Sequence, residues 1–217
     1  MAQIVRRTTT NIVADELRRR ILNGQIQEGE QVRQEAVASE LGVSRIPVRE
    51  ALRLLEAEGL ITLISHKGAE VTRLEPSEIE ELFEIRTMME VWVFRHAIGK
   101  ISPEEFAEAE EYLKTMRDEA PVSDWGPLNW LFHEALYRAA GKTTSIRLLK
   151  RVHDNIDRYV RLQITLSHHT QEIAHEQHQA ILDTAREEDT DRACALLESH
   201  INQVKAQLLE TIKARKL

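Results

Sequence analysis

Three histidines fall on the apolar faces of separate predicted helices in the second part of the chain: His133, His178 and His200. A single buried imidazole is usually a hydrogen-bonded core residue, but three on facing helices of one bundle can hold a divalent metal. Asn129, one helical turn before His133, adds an amide oxygen as a candidate ligand. His153 also lies on an apolar seam, and periodicity does not decide its role. Core histidines and a metal centre therefore both remain open.

Arg86 lies on the inward stripe of another predicted helix, together with Leu82, Met89 and Val93. A buried guanidinium needs an anion, because a charge without a partner is costly to bury. Glu90, four residues further on, can supply an internal ion pair. The alternative is a bound organic carboxylate, which Arg86 and the metal could hold together.

A second set of candidate residues lies in the stretch 35–59. Gly42 ends one short helix by taking a left-handed conformation, and Ser44 with Pro47 begins the next. Arg45 and Arg49 lie one turn apart on that second helix, away from its apolar face. The pattern is typical of a helix-turn-helix whose second helix enters the DNA major groove. An ordinary helical hairpin with solvated arginines is the alternative.

The neighbouring segments complete a winged helix-turn-helix. A helix is predicted over 11–23, followed by a connector over 25–32 that can hold a short strand. Alternating apolar residues over 61–72, around a turn at His66, Lys67 and Gly68, predict a hairpin. A cation beside a glycine at a loop tip suits a phosphate or the minor groove, although it is also an ordinary surface turn.

The rest of the chain has helical periodicity throughout. Capping boxes are predicted at Ser77-x-x-Glu80 and Ser102-x-x-Glu105. We predict a mainly α protein with two domains: a winged helix-turn-helix domain over 1–75 and an antiparallel six-helix bundle over 76–217. The predicted bundle helices begin near residues 77, 102, 122, 143, 170 and 189.

Composition limits the function classes. The 217 residues are 42% hydrophobic and 30% charged, with one cysteine, so no intrachain disulfide can form. Neither a signal peptide nor an apolar run long enough to cross a membrane is evident, which predicts a soluble cytoplasmic protein. The net charge is -7, yet residues 1–75 contain 11 basic and 11 acidic residues. The acidic excess belongs to the second domain and does not exclude DNA binding by the first.

Several segments of the sequence resemble the GntR family of transcriptional regulators, in the FadR subfamily with a C-terminal, effector-binding FCD domain. The segments that carry the resemblance are Ser44-Arg45-Ile46-Pro47-Val48-Arg49-Glu50-Ala51-Leu52, Leu55-Glu56-Ala57-Glu58-Gly59-Leu60, Lys67-Gly68-Ala69, Phe83-x-x-Arg86-x-x-Met89-Glu90, Phe132-His133, Glu176-x-His178 and His200-Ile201. The six predicted bundle helices are similar to the VanR-like branch.

The resemblance implies a homodimer that binds a palindromic double-stranded operator under the control of a small organic acid. The implied DNA-binding residues are Ser44, Arg45, Arg49, His66, Lys67 and Gly68. Arg33 and Pro47 are further candidates. Related FCD domains bind a divalent metal, here Zn, Ni or Mn, through an aspartate and three histidines. The metal ligands in this chain would be Asn129, His133, His178 and His200, and the effector would contact these four and Arg86.

Asn129 stands where the family has an aspartate. It brings no negative charge, so we expect a lower metal affinity and a different choice of metal.

The main hypothesis is therefore a DNA-binding transcriptional regulator, not an enzyme. A metal-dependent enzyme with the same histidines is one alternative, but Glu90 is its only evident general base. A regulator that senses the metal itself is another.

Overall fold

The computed structural model describes residues 8–64, 68–118, 122–164 and 168–215. The chain divides between Leu74 and Glu75 into two units, called here the winged unit and the bundle unit. Within the described residues, no helix combines the length and the apolar character needed to cross a lipid bilayer.

The winged unit contains three helices and a small sheet. Its elements are α1 (Thr9–Leu22), β1 (Gln31–Val32), α2 (Gln34–Leu41), α3 (Arg45–Ala57), β2 (Ile61–Ile64) and β3 (Gly68–Val71). The strands are antiparallel in the order β1-β3-β2. This is the predicted order of a helix, a helix-turn-helix and a hairpin.

A single apolar core holds α3 in place. Leu17 from α1 and Val48 and Leu52 from α3 are completely buried, and Leu60 joins them at the start of the hairpin. Each such side chain stabilises the fold by roughly 1.5–3 kcal/mol relative to an exposed position. Because the core takes only one face of α3, its arginines remain at the surface.

Gly68 is the first residue of β3 rather than part of the turn, which corrects the prediction for this residue. Its φ is +96°, and a Cβ at this position would lie 2.8 Å from the carbonyl oxygen of Val32. Both the conformation and the close approach of β1 therefore require glycine. The other two predicted turn residues, His66 and Lys67, lie outside the described residues.

The bundle unit is helical in all of its described residues that form regular structure. Its six α-helices, with a short 3₁₀ helix (Arg138–Ala140) after the third, are α4 (Pro76–Ala97), α5 (Pro103–Asp118), α6 (Val122–Tyr137), α7 (Thr143–Ile164), α8 (His168–Arg186) and α9 (Thr190–Arg215). The mainly α fold is therefore confirmed.

The two predicted capping boxes have different outcomes. At α5 the box is present, since the Glu105 amide donates to Ser102 Oγ and the Ser102 amide donates to Glu105 Oε2. At α4 the prediction was wrong, because the helix begins at Pro76, one residue before Ser77. Glu75 is the N-cap, and its amide donates to Glu78 Oε2 at 2.7 Å. Proline is favoured at the first helical position, which leaves Ser77 inside the helix.

Aromatic side chains fill the core of the bundle unit. Phe83 and Phe94 of α4 and Phe132 and Tyr137 of α6 are completely buried. Phe94 and Tyr137 make an edge-to-face contact, with ring centroids 5.8 Å apart. This packing encloses the polar side chains that α4, α6, α8 and α9 bring to the same interior.

Candidate nucleic-acid interface and metal centre

The start of α3 presents its arginines to solvent. Arg45 is the first residue of the helix and Arg49 follows one turn later, with side chains 69% and 55% exposed. Ser44 is the N-cap residue, and its side chain makes no capping hydrogen bond. A helix N-terminus with exposed amides and arginines favours an anion such as a DNA phosphate.

Several of the predicted DNA-binding residues line one concave surface of the winged unit. This surface, called here the basic groove, includes Arg33, Arg45, Arg49, Arg53, Glu35 and Gly68. Pro47 is partly buried in the first turn of α3 and does not line the groove. The groove therefore brings together α2, α3 and β3.

Each arginine of α3 has an acidic neighbour. Arg45 pairs with Glu35 at 2.7 Å, while Arg49 and Arg53 approach Glu50 at 3.3 and 3.5 Å. Arg53 and Glu50 therefore form an ion pair at the surface of α3. Exposed pairs of this kind contribute less than about 1 kcal/mol, so a phosphate can replace the carboxylate at little cost.

The three histidines predicted to face inward meet in the bundle unit. His133 of α6, His178 of α8 and His200 of α9 are buried, and each offers a ligand atom within 4.8 Å of the others. Ring centroids of His178 and His200 lie 4.6 Å apart, and those of His133 and His178 lie 5.1 Å apart. Three nitrogens at this separation can converge on one ion.

Hydrogen bonds select the tautomers of two of these rings. Tyr137 donates its only hydroxyl proton to Glu90 Oε2 at 2.5 Å, so His133 Nδ1, 3.2 Å away, donates to the tyrosine oxygen. Gln177 Oε1 accepts from His200 Nδ1 at 2.7 Å. In both rings the proton is held on Nδ1, and Nε2 keeps the lone pair that a metal requires.

The remaining nitrogens of the cluster fit an ion better than a closed core. His133 Nε2 and both ring nitrogens of His178 are buried and have no hydrogen-bond partner among the described residues. Such atoms are costly unless something binds them. The donor set of three neutral imidazoles therefore suits a borderline metal such as zinc or nickel.

Burial keeps these imidazoles uncharged. It is the largest cause lowering the pKa of His133 and of His178 well below the ordinary value, and the Arg86 guanidinium lowers both further. For His200, burial followed by the nearby His133 lowers the pKa to about 3. Since metals bind the neutral ring, the apo site is prepared for binding at neutral pH.

Arg86 is buried in the bundle unit with Glu90 as its partner. Its Nε donates to Glu90 Oε1 at 2.5 Å, which is the expected internal ion pair. Its Nη2 is buried and has no partner in the described part of the chain. Glu90 accepts from Tyr137 as well, so the guanidinium connects to His133 through two side chains. One edge of the guanidinium remains available for an acid ligand.

Asn129 and His153 are buried together. Asn129 Nδ2 donates to His153 Nε2 at 3.2 Å, across the interface between α6 and α7. Asn129 Oδ1 has no hydrogen-bond partner among the described residues. His153 is not a member of the three-histidine cluster.

A cavity of about 490 Å³ reaches the cluster from the outside of the bundle unit. It is lined by residues of α5, α6 and α8 that include Met116, Arg117, Trp125, His175, Glu176 and His178. The cavity therefore offers a small ligand a route to His178.

Both units match known domains. Residues 9–71 match the bacterial regulatory proteins of the gntR family, and residues 81–203 match the FCD domain. The chain belongs to the GntR family of regulators with an FCD domain. It is a DNA-binding transcriptional regulator, and its domains and relatives are those of regulators rather than enzymes.

Two relatives and one solved structure illustrate the match. The Nta operon transcriptional regulator of Aminobacter aminovorans is 29% identical over 185 residues, which cover 85% of this chain and 87% of that protein. The gluconate operon transcriptional repressor of Bacillus licheniformis is 35% identical, over 61% of this chain and 56% of that protein. The structure of E. coli McbR/YncC aligns with a TM-score of 0.85 over 95% of this chain and 100% of that chain, at 19% identity, and shows the shared fold.

Sequence reasoning missed the side chains that orient the cluster. Tyr137 lies four residues after His133 on α6, a spacing that could have indicated a contact. Gln177 reaches His200 from the neighbouring helix, and its sequence position beside His178 carries no sign of that. Partners between helices depend on helix rotation, which periodicity does not give.

Proposed function

We propose that the bundle unit binds a divalent metal through His133, His178 and His200 with Asn129, and that a small carboxylate effector completes the site. The observation that carries this proposal is the cluster of three buried histidines whose ligand atoms lie within 4.8 Å of one another. Within the described residues, His133 Nε2 and both ring nitrogens of His178 have no hydrogen-bond partner. A closed core would satisfy these atoms with hydrogen bonds. A bound ion would supply Lewis acidity to attract and orient the acid.

Metal analysis tests the centre directly. Protein purified without chelator should contain one equivalent of Zn, Ni or Mn, and His178→Ala should lose it. His96→Ala is the matched control, because His96 lies at the surface of α4 with its Nδ1 2.8 Å from the carbonyl oxygen of Trp92. Absence of metal from unchelated wild-type protein would favour a core of ordinary histidines.

Arg86 supports a carboxylate as the effector. Its Nη2 has no partner among the described residues and offers a charge-assisted hydrogen bond, and the Arg86 charge also lowers the pKa of the three clustered histidines. One relative is named for a gluconate operon, so gluconate is a reasonable first probe. Calorimetry of metal-loaded protein should detect its binding, and Arg86→Lys should weaken it, because lysine lacks the planar fork.

Control of transcription then follows from linkage. An acid that binds two states of the regulator with different affinity shifts the equilibrium between those states. The coupling free energy is the same for the acid and for the operator, and about 1–3 kcal/mol is enough to control DNA binding. Operator titrations with metal alone and with metal plus acid discriminate between effectors. A full response to metal alone would identify the metal itself as the signal.

We propose that the winged unit reads DNA with the basic groove, and that the regulator is a homodimer on a palindromic operator. An exposed apolar surface supports the second copy: Met88 and Trp92 on α4 and Leu148 on α7, two helices that pack together. Light scattering should find a dimer, and Met88→Glu combined with Leu148→Glu should give monomers. Substitution of Ile12, exposed in the winged unit, is the control.

A further inference from the structure

His153 has no place in the three-histidine cluster, yet it is buried beside it. Its ring packs edge-to-face against Trp130, with centroids 5.3 Å apart. An imidazole that packs against an aromatic ring and is hydrogen-bonded to Asn129 can act as a fixed hydrogen-bond acceptor.

The hydrogen bond to Asn129 has one possible direction. The amide nitrogen of asparagine only donates, so His153 Nε2 accepts and carries the lone pair. This contact fixes which end of the amide faces α7. Asn129 Oδ1 is then left buried without a partner among the described residues, on the same helix face as His133 and one turn before it.

We propose that His153 is a positioning residue that turns the carbonyl oxygen of Asn129 toward the ion, so that the metal is held by four uncharged protein donors. The inference rests on the proposed metal centre and adds to it the role of His153. A group at position 153 that could only donate a hydrogen bond would instead attract the oxygen and turn the amide away.

The uncharged donor set has a consequence for the ligand. Three imidazoles and an amide leave the ion with its full double positive charge, and Glu90 is already engaged by Arg86 and Tyr137. An anion is therefore the natural remaining ligand, and it binds more strongly than it would beside a coordinating aspartate.

Cobalt(II) is a suitable probe because its visible absorption reports the ligands. Chelator-treated full-length protein is titrated with cobalt in five forms: wild type, His153→Leu, His153→Gln, Asn129→Ala and Asn129→Ala/His153→Leu. We expect His153→Leu to weaken cobalt binding about 10- to 100-fold, the usual effect of losing a group that orients a ligand, and to shift the absorption band. His153→Gln retains an acceptor for the amide and should restore wild-type behaviour.

The double variant separates positioning from direct ligation. If His153 acts through Asn129, Asn129→Ala/His153→Leu binds cobalt as Asn129→Ala does. A further loss of tenfold or more in the double variant would overturn the proposal in favour of His153 as a ligand. Wild-type affinity in His153→Leu would also overturn it. Tryptophan fluorescence and circular dichroism of the metal-free variants check the fold.

Anion binding tests the charge argument with azide as the probe. Asn129→Asp should bind cobalt more tightly than wild type and should bind azide at least tenfold more weakly. Equal azide affinity would overturn the role assigned to the neutral donors. Failure of the wild type to bind cobalt at all would instead remove the metal centre and this inference together, so the two failures are distinguishable.

Discussion

Each unit contains an arginine–glutamate ion pair, and the two pairs differ in their exposure to water. Arg45–Glu35 in the winged unit and Arg86–Glu90 in the bundle unit have nearly equal lengths, 2.7 and 2.5 Å, but side-chain exposures of 69% and 72% against 4% and 1%. Water screens the first pair and leaves both groups free to exchange partners. The second pair is held by packing, and each member depends on the other. An exposed pair of the first kind can exchange partners, while a buried pair of the second kind fixes the geometry of its side chains.

The comparison predicts its largest effect at Glu90. Glu90→Ala leaves Arg86 buried without its carboxylate and removes the acceptor of Tyr137, so the bundle unit should lose about 3–5 kcal/mol of unfolding free energy. Urea denaturation followed by tryptophan fluorescence measures this, because Trp92, Trp125 and Trp130 all belong to the bundle unit.

Glu35→Ala is the matched control for the exposed pair. It should change the stability of the winged unit, followed by circular dichroism, by less than about 1 kcal/mol. Equal losses in the two variants would contradict the distinction between the pairs.

The second prediction concerns the exposed arginines. Arg49→Ala should weaken binding to a duplex selected by the wild-type protein by about 1–3 kcal/mol if Arg49 contacts a base edge, with little change in fold. Gel-shift titration measures the loss. Arg73→Ala is the control, since Arg73 is an exposed arginine of the winged unit that does not line the basic groove. Unchanged binding in Arg49→Ala would remove its proposed role.

The exposed positions of the α3 arginines could be predicted from the sequence alone, because they depend only on which face of the helix is buried. The apolar face of α3 at Val48, Leu52 and Leu55 is buried as its spacing predicts, and Arg45 and Arg49 then have only the solvent side available. The same reasoning predicted correctly that His133, His178 and His200 are buried. Periodicity assigns a residue to a face of its own helix, and this is enough when the partner is solvent or a general core.

The partners of buried groups could not be predicted in the same way. Tyr137, Gln177 and His153 act on residues of the cluster through contacts set by side-chain rotamers and helix rotation. A sequence pattern also fails where two overlapping capping motifs compete for one helix start, as they do at α4. There Glu75 with Glu78 and Ser77 with Glu80 both fit a capping box, and Pro76 decides between them.

The buried histidines should make the unfolding free energy of the bundle unit decrease in acid. The pKa of His200 is about 3 in the folded chain, against about 6.5 when unfolded. Above pH 6.5 both states are neutral and nothing is lost. Below it only the unfolded state binds the proton, so stability falls as pH falls, by about 1.4 kcal/mol per pH unit for this residue.

Metal-free protein and His200→Leu test this sign. Between pH 6 and 4.5 the unfolding free energy of the bundle unit should fall less steeply in His200→Leu, by about 1.4 kcal/mol per pH unit. Asn202→Ala, at an exposed position of the same helix, should keep the wild-type slope. Equal slopes in wild type and His200→Leu would show that His200 becomes protonated in the folded chain.

The smallest expected effect tests whether an exposed pair competes with DNA. Glu35 lines the basic groove and holds Arg45, so a phosphate must displace it. Glu35→Gln should therefore strengthen binding to the selected duplex by about 0.2–1 kcal/mol, and the gain should shrink as salt increases. Glu28→Gln is the control, since Glu28 approaches Arg73 at 4.0 Å and does not line the groove. Weaker binding in Glu35→Gln would mean that the carboxylate positions Arg45 for DNA, and the exposed pair would then resemble the buried one in function.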